Sequence, residues 1–217
     1  MAASRRFHAL EIAIGLAAAI VWLVGVGWVV ASAARNPATD LHHPAILASA
    51  AQTVAWMVLA WSLLLAFRAG SLARLAWTFG LLTLFVHLTL AFGLAHGWSH
   101  AAAVEYIRQV GGFGGGIVVN YLFAGVWLAD VVWWWAKPAS HANRPRWVGW
   151  AIHGFLAFIV VNATVVFGPP ERRVWYAATL GLLALLWFCA RLAQKHEPGL
   201  RPGSDRAPES SAGHSPT

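Results

Sequence analysis

Of 217 residues, 59% are hydrophobic and only 11% are charged, with a mean hydropathy of +0.61. A soluble domain carries about 25% charged residues, so this composition excludes a water-soluble globular protein and indicates a membrane protein. The net charge of +7 comes without any basic-aromatic motif that reads nucleic acid, so a nucleic-acid partner is excluded as well.

A spanning helix needs about 20 apolar residues, because about 30 Å of hydrocarbon is crossed at about 1.5 Å per residue. Six stretches meet or approach that length: Ile12–Ala34, Pro44–Phe67, Leu75–Trp98, Ile117–Ala136, Trp147–Phe167 and Val174–Ala190. They are continuous rather than alternating, which selects helices over barrel strands as the way to satisfy the backbone in lipid. The expected fold class is all-α, a polytopic transmembrane bundle of six spans over residues 1–195.

The first span follows Arg5 and Arg6 and precedes the small residues Ala31, Ser32 and Ala33, in the manner of a secretory signal. Its apolar run exceeds the about 7–15 residues of a signal core, so it is expected to remain as a helix. His42 and His43 lie on the first connection. The third span carries His87 near its centre and ends in "HGWSH", with Gly93 and Gly97 at the GxxxG spacing that lets helices approach closely.

The next connection, Ser99–Gly116, contains "GGFGGG", whose glycines permit a turn back into the fourth span. No strand precedes it and no Gly-Lys-Ser/Thr follows, so it is not a phosphate loop. The fourth span holds Asn120 and Asp130 and ends in Trp133–Trp135. The connection Lys137–Arg146 has a proline near each end, Pro138 and Pro145, and leads to a fifth span with His153. The lone Cys189 in the sixth span excludes an internal disulfide. Beyond residue 195 the chain turns rich in Pro, Gly, Ser and charge, which reads as a disordered cytoplasmic tail over 196–217.

With alternating helices, eleven basic residues fall on one side and four, Arg35, Arg108, Arg172 and Arg173, on the other. This positive-inside bias places both termini in the cytoplasm of a bacterial inner membrane. Trp28, Trp98 and Trp175 then lie near the outer ends, and Trp77, Trp133–Trp135, Trp147 and Trp150 near the inner ends. They are expected to form the aromatic belt that meets the headgroups.

Ionisable residues inside a span are costly and mark functional or packing sites. Asp130 and His153 each lie six residues from the inner end of their spans. At equal depth they can pair, either as a lock between two helices or as a proton relay. His87, Asn120, Asp130 and His153 together form the candidate intramembrane polar set.

On the outer face His96 and His100 are four residues apart, about 40° on a helix, and can present two nitrogens to one metal. His42, His43 and Glu105 complete the candidate ligand set, which suits zinc or iron rather than copper(I), since Cys and Met are lacking nearby. His87 is about 13 Å of rise from His96 and cannot share that metal; it is a candidate axial ligand to haem. Against both stands the plainer reading of histidines gathered at a membrane interface.

The stretch "HGWSHAAAVEYIRQVGGFGGGIVVNYLFAGVWLADVVWWW", residues 96–135, resembles an uncharacterised group of bacterial multi-pass membrane proteins. That group carries a His-x-Trp-Ser-His-Ala-Ala-Ala box followed by Asn-Tyr-x-Phe and Trp-x-x-Asp. The resemblance implies a membrane fold and singles out His96, Trp98, Ser99, His100, Glu105, Asn120, Tyr121, Trp127 and Asp130. It implies no activity.

Three functions follow from the sequence. One is a protein with a histidine-rich outer site for metal or haem. Another is a small transporter or channel component with a polar path. The last is a non-catalytic subunit that packs against a membrane-protein partner or a second copy. No nucleophilic triad, phosphate loop or dinucleotide fingerprint names a reaction.

Overall fold

The computed structural model describes residues 2–36, 42–65, 70–166 and 170–195. The expected tail, Asp40 and Arg68 lie outside the described residues, as do the side chains of Arg5 and Arg6. Among the described residues the chain is an all-α bundle without strands. Its helices are α1 (Ala2–Arg35), α2 (Pro44–Leu65), α3 (Gly70–Leu90), α4 (His100–Gly111), α5 (Gly116–Ala136), α6 (Pro138–Ala142), α7 (Arg146–Val161) and α8 (Pro170–Lys195). Helices α3 and α7 each end in a wider π turn, Ala91–Ala95 and Asn162–Val166.

Among the described residues five helices are long and apolar enough to cross a membrane: Ala9–Arg35, Pro44–Leu65, Gly70–Ala95, Gly116–Ala136 and Arg146–Val166. They match the first five expected spans to within a few residues, because continuous apolar runs leave an intrahelical hydrogen-bond ladder as the only full use of the backbone in lipid. The sixth expected span lies inside α8.

The core is aromatic. Trp56, Trp61, Trp77, Phe123 and Trp127 pack with Met57, Leu81, Leu84 and Leu156 where α2, α3, α5 and α7 meet. Gly80 of α3 gives Trp127 its place: a Cβ there would lie 2.8 Å from Trp127 Cζ2. Helix α1 lies at the edge, with Leu16, Ile20, Leu23 and Val24 exposed. It is tied on by the Trp22 Nε1 donation to Thr83 Oγ1 (2.9 Å), by Gln52 Nε2 donating to the Gly25 carbonyl (3.3 Å), and by the Trp22–Phe79 stack.

Successive long helices run antiparallel, so the bundle has two distinct ends. One carries Arg74, Arg144 and Arg146 and is termed the basic end. The other carries His43, His96 and His100 and is termed the histidine end.

Two connections differ from the sequence expectation. The third span does not run to Trp98. After the π turn the chain passes through two left-handed residues, Gly97 (φ 54°) and Trp98 (φ 62°), and breaks. A non-glycine residue in this region costs about 1–2 kcal/mol. The corner is held by Trp98 N–H donating to the Phe92 carbonyl (2.9 Å) and Ser99 N–H to that of His96 (2.9 Å). Ser99 then caps α4, its Oγ accepting from Ala102 N–H at 3.2 Å. The stretch expected as an open connection is therefore mostly helix, and Gly112 (φ 74°) ends it before the glycine turn into α5.

The same corner removes the GxxxG reading. The Trp98 indole covers Gly93, at 3.0 Å from where a Cβ would stand, and Gly97 sits in the turn rather than on a helix face. At the basic end, the connection between α5 and α7 folds into α6, opened by Pro138 at its first turn.

Candidate functional site

Asp130 lies fully buried on α5, and Arg144, His141 and Trp77 converge on it. The Arg144 guanidinium donates through Nη1 to Asp130 Oδ1 at 2.5 Å, with 11% of the arginine side chain and none of the aspartate exposed. Trp77 Nε1 of α3 donates to the other oxygen, Oδ2, at 2.9 Å. A buried carboxylate is tolerated when its lone pairs are met by a cation and further donors, and here both oxygens are met.

Arg144 reaches two histidines as well. Its Nη1 lies 2.7 Å from His141 Nε2, and its Nη2 lies 3.0 Å from His153 Nε2. A guanidinium only donates, so both nitrogens serve it as acceptors. His141 also stacks on Trp134, with ring centroids 4.6 Å apart, and meets the edge of Trp133. Burial, reinforced by the Arg144 charge, pulls the His141 imidazole below its ordinary value of 6.5, against an opposing pull from Asp130.

His153 carries a conflict. Trp61 Nε1 donates toward its Nδ1 at 3.3 Å while Arg144 approaches its Nε2. A neutral imidazole has one lone pair, so it can accept from one of these donors at a time. The sequence expectation placed Asp130 against His153. The structure sets them at matching depth and puts Arg144 between them, donating to each.

Two cavities adjoin this cluster. One, of about 570 Å³, lies between α2, α7 and α8 and is lined by Trp61, Leu64, Leu65, Trp150, Gly154, Ala157, Val161, Leu180, Leu183 and Ala184. The other, of about 390 Å³, is lined by Trp134, His141, Ala142, Arg144 and Pro145. Leu64, Arg146, Gly149 and His153 line both. The first is apolar apart from Arg146 and His153, the second is lined by His141 and Arg144 of the charged network, and they meet at His153. Arg146 is exposed and makes no hydrogen bond or ion pair among the described residues.

Other sequence-selected residues stand apart from this site. His87 Nδ1 donates to the Ile46 carbonyl (3.1 Å) beside Ser49 Oγ (3.2 Å), which joins α3 to α2 toward the histidine end. Asn120 is exposed near the start of α5. Neither joins Asp130 and His153, so the four do not form a continuous path.

The expected metal ligands are also dispersed. The break at Gly97 and Trp98 puts His96 and His100 on different elements, so the 40° separation of an unbroken helix does not apply. His96 lies 5.6 Å, ring to ring, from Tyr106, and burial lowers its pKa. His100 Nδ1 is 2.9 Å from the Tyr121 hydroxyl. His43 has both nitrogens engaged: Nδ1 accepts from Ala45 N–H (3.1 Å) and Nε2 donates to the Asn36 carbonyl (2.8 Å). It caps the start of α2. His42 is exposed on the preceding turn.

Glu105 accepts from Arg108 and Gln109 on its own helix, and these bonds hold its pKa down to about 2 from 4.5. Among the described residues no group of three or more His, Cys, Asp or Glu gathers closely enough to hold a metal ion. The donor set read from the sequence is therefore not gathered at one point among the described residues.

Trp77 corrects the aromatic-belt reading: with 1% of its surface exposed, it is a core donor to Asp130. Trp135 sits under Arg74, whose guanidinium carbon lies 4.0 Å from the ring centroid. The residues that sequence reasoning left out are Arg144, His141 and Trp61. Comparison with known proteins adds no assignment, because no family model, curated protein or solved structure matches the chain.

Proposed function

We propose that this chain is a membrane-embedded binding or carrier protein whose ligand enters the paired cavities at the basic end. The reading belongs to the transporter class of the functions drawn from the sequence. One observation carries it: an apolar chamber of about 570 Å³ and a polar one of about 390 Å³ share His153, Arg146, Gly149 and Leu64. Ligand sites are largely apolar cavities of about 300–1,000 Å³ with a few polar groups that fix orientation. The ligand therefore has an apolar body and a polar end, and the bilayer is its source.

Arg144, His141 and His153 act as the fixed polar wall, with Asp130 buried behind them as their anchor. Their bonds to one another keep that wall in place before a ligand arrives. We also propose that the basic end faces the cytoplasm of a bacterial inner membrane, supported by the eleven-to-four distribution of basic residues. Shared ancestry with the group that carries the His-x-Trp-Ser-His box is a further proposal, resting on residues 96–135.

The test is lipid mass spectrometry on the purified full chain and on Gly154→Phe. Gly154 lines the apolar chamber, and a Cβ there meets nothing within 4 Å, so the first added carbon clashes with nothing and the ring occupies the space of the ligand. A species held in stoichiometric amount by the parent and lost from the variant supports the reading. Identical profiles for the two proteins overturn it.

A further inference from the structure

Resting on the paired cavities as a ligand site, we infer that the ligand is a single-chain amphiphile with an anionic head, anchored by Arg146. Volume sets the number of chains. At about 570 Å³ the space falls within the range of about 300–1,000 Å³ that buries one small ligand, which suits one alkyl chain rather than two.

Polarity sets the orientation of the chain. From Arg146 to Val161, both lining residues, α7 rises about 22 Å. Arg146 lies at one end of this wall, His153 stands about 10 Å along it, and the rest, through to Val161, is Trp, Gly, Ala, Val and Leu. A chain fits with its head at the basic end and its tail toward Val161.

Charge sets the head. Asp130 and Arg144 cancel within their own bond network. Arg146 lines both chambers and makes no hydrogen bond or ion pair among the described residues. An ammonium head would be repelled by this cation, and an alcohol would gain from it a weaker hydrogen bond than an anion does. A carboxylate or phosphate monoester gains a charge-assisted bond that a guanidinium can make with two parallel N–H groups. The His153 ring, contested by the two donors Trp61 and Arg144, borders the place where head and chain meet.

The experiment is saturable binding of radiolabelled hexadecanoate to the full chain in nanodiscs of zwitterionic lipid, with empty nanodiscs subtracted. Competitors are hexadecanol, hexadecylamine, hexadecyl phosphate and a two-chain phosphatidylglycerol. Hexadecanoate and hexadecyl phosphate are expected to compete alike, and the alcohol and amine about tenfold or more weakly. The two-chain lipid is expected not to compete. Arg146→Gln is expected to weaken hexadecanoate about tenfold while leaving hexadecanol unchanged.

Equal competition by the alcohol, with no effect of Arg146→Gln, overturns the anionic head. Equal competition by phosphatidylglycerol overturns the single chain. In either case, binding that is abolished by Gly154→Phe leaves the site reading standing. Binding that is absent from the parent, or that survives both Gly154→Phe and Ala184→Phe, overturns the site reading itself. Elution volume and melting midpoint confirm that each blocking variant is folded, and the second variant serves if the first is not.

Discussion

Arg144 Nη1 stands 2.5 Å from Asp130 Oδ1, and this guanidinium answers the acid of α5 from a connector fourteen residues further along the chain. The pair is buried and shared with two histidines, so its members are not independent. Asp130→Asn leaves the Arg144 cation nearly enclosed and without an anion, which is expected to cost about 3–5 kcal/mol. Asp130→Asn combined with Arg144→Met removes both charges and is expected to cost less than the sum of the single variants, by about 0.5–3 kcal/mol. Unfolding midpoints in one detergent check this cycle. Additive losses would mean that the two side chains do not interact.

Trp77 supplies the second oxygen of Asp130. Trp77→Phe keeps an aromatic body in the core but removes the donor, and a hydrogen bond to a charged group is worth about 1.5–3 kcal/mol. The expected result is a destabilisation of that size in the parent and a smaller one in the Asp130→Asn background. Equal losses in both backgrounds would assign the effect to packing alone.

Gly80 faces Trp127 with no room for a methyl group. In Gly80→Ala the added carbon would lie 2.8 Å from Trp127 Cζ2, and the Trp56 Cβ stands 3.3 Å away on another helix. Overpacking of this kind costs about 1–3 kcal/mol. Gly27→Ala, on α1 with nothing within 4 Å of the added carbon, is the matched control and is expected to be neutral or slightly stabilising.

The acid side of the stability profile follows from His141. Its folded pKa lies below the ordinary 6.5, first through burial and then through the Arg144 charge. Between the two values the unfolded chain binds a proton that the folded chain does not. The stabilisation is thus present above about 6.5 and is lost as pH falls below it toward the folded value. Melting midpoints measured between about pH 7.5 and about pH 5.5 are expected to fall, and to fall less in His141→Phe, which keeps a ring against Trp134. An unchanged slope in that variant would remove His141 from the account.

The α4 cap offers a local test at the opposite end of the bundle. Ser99→Ala removes the acceptor for Ala102 N–H and is expected to cost about 1 kcal/mol. Hydrogen exchange is expected to rise at Ala102 and Ala103 and to stay unchanged in α5. Exchange rising across both helices would mean that α4 and α5 open as one unit.

The spans were readable because lipid leaves the backbone a single solution, and long apolar runs announce it. Asp130 and His153 were readable for a related reason, since an ionisable group at that depth is an exception that calls for a partner. Arg144 was absorbed into the count of basic residues that sets topology, although a buried acid followed by His141 and Arg144 in a short, proline-bounded connector is itself a signal. Trp77 reads as an interfacial anchor, because an indole near a helix end looks the same in sequence whether it faces headgroups or a carboxylate, and Trp61, one apolar residue among many in its span, carries no signal at all. The histidine pair at 96 and 100 misled in a different way. Spacing of four implies a shared face only while the helix continues, and Gly97 was the residue in the sequence able to end it.

The position of Arg144 in the chain has a consequence for assembly. Asp130 precedes its cation by fourteen residues, so α5 by itself carries an acid with no counter-charge. Charge balance is reached only when the chain has turned through α6 and arrived at Arg144, just before α7 begins. The smallest piece of this protein that enters a bilayer electrically complete is therefore α5 together with the connector that follows it, and a chain cut between Ala136 and Arg144 would present the membrane with a span that holds its acid unpaired.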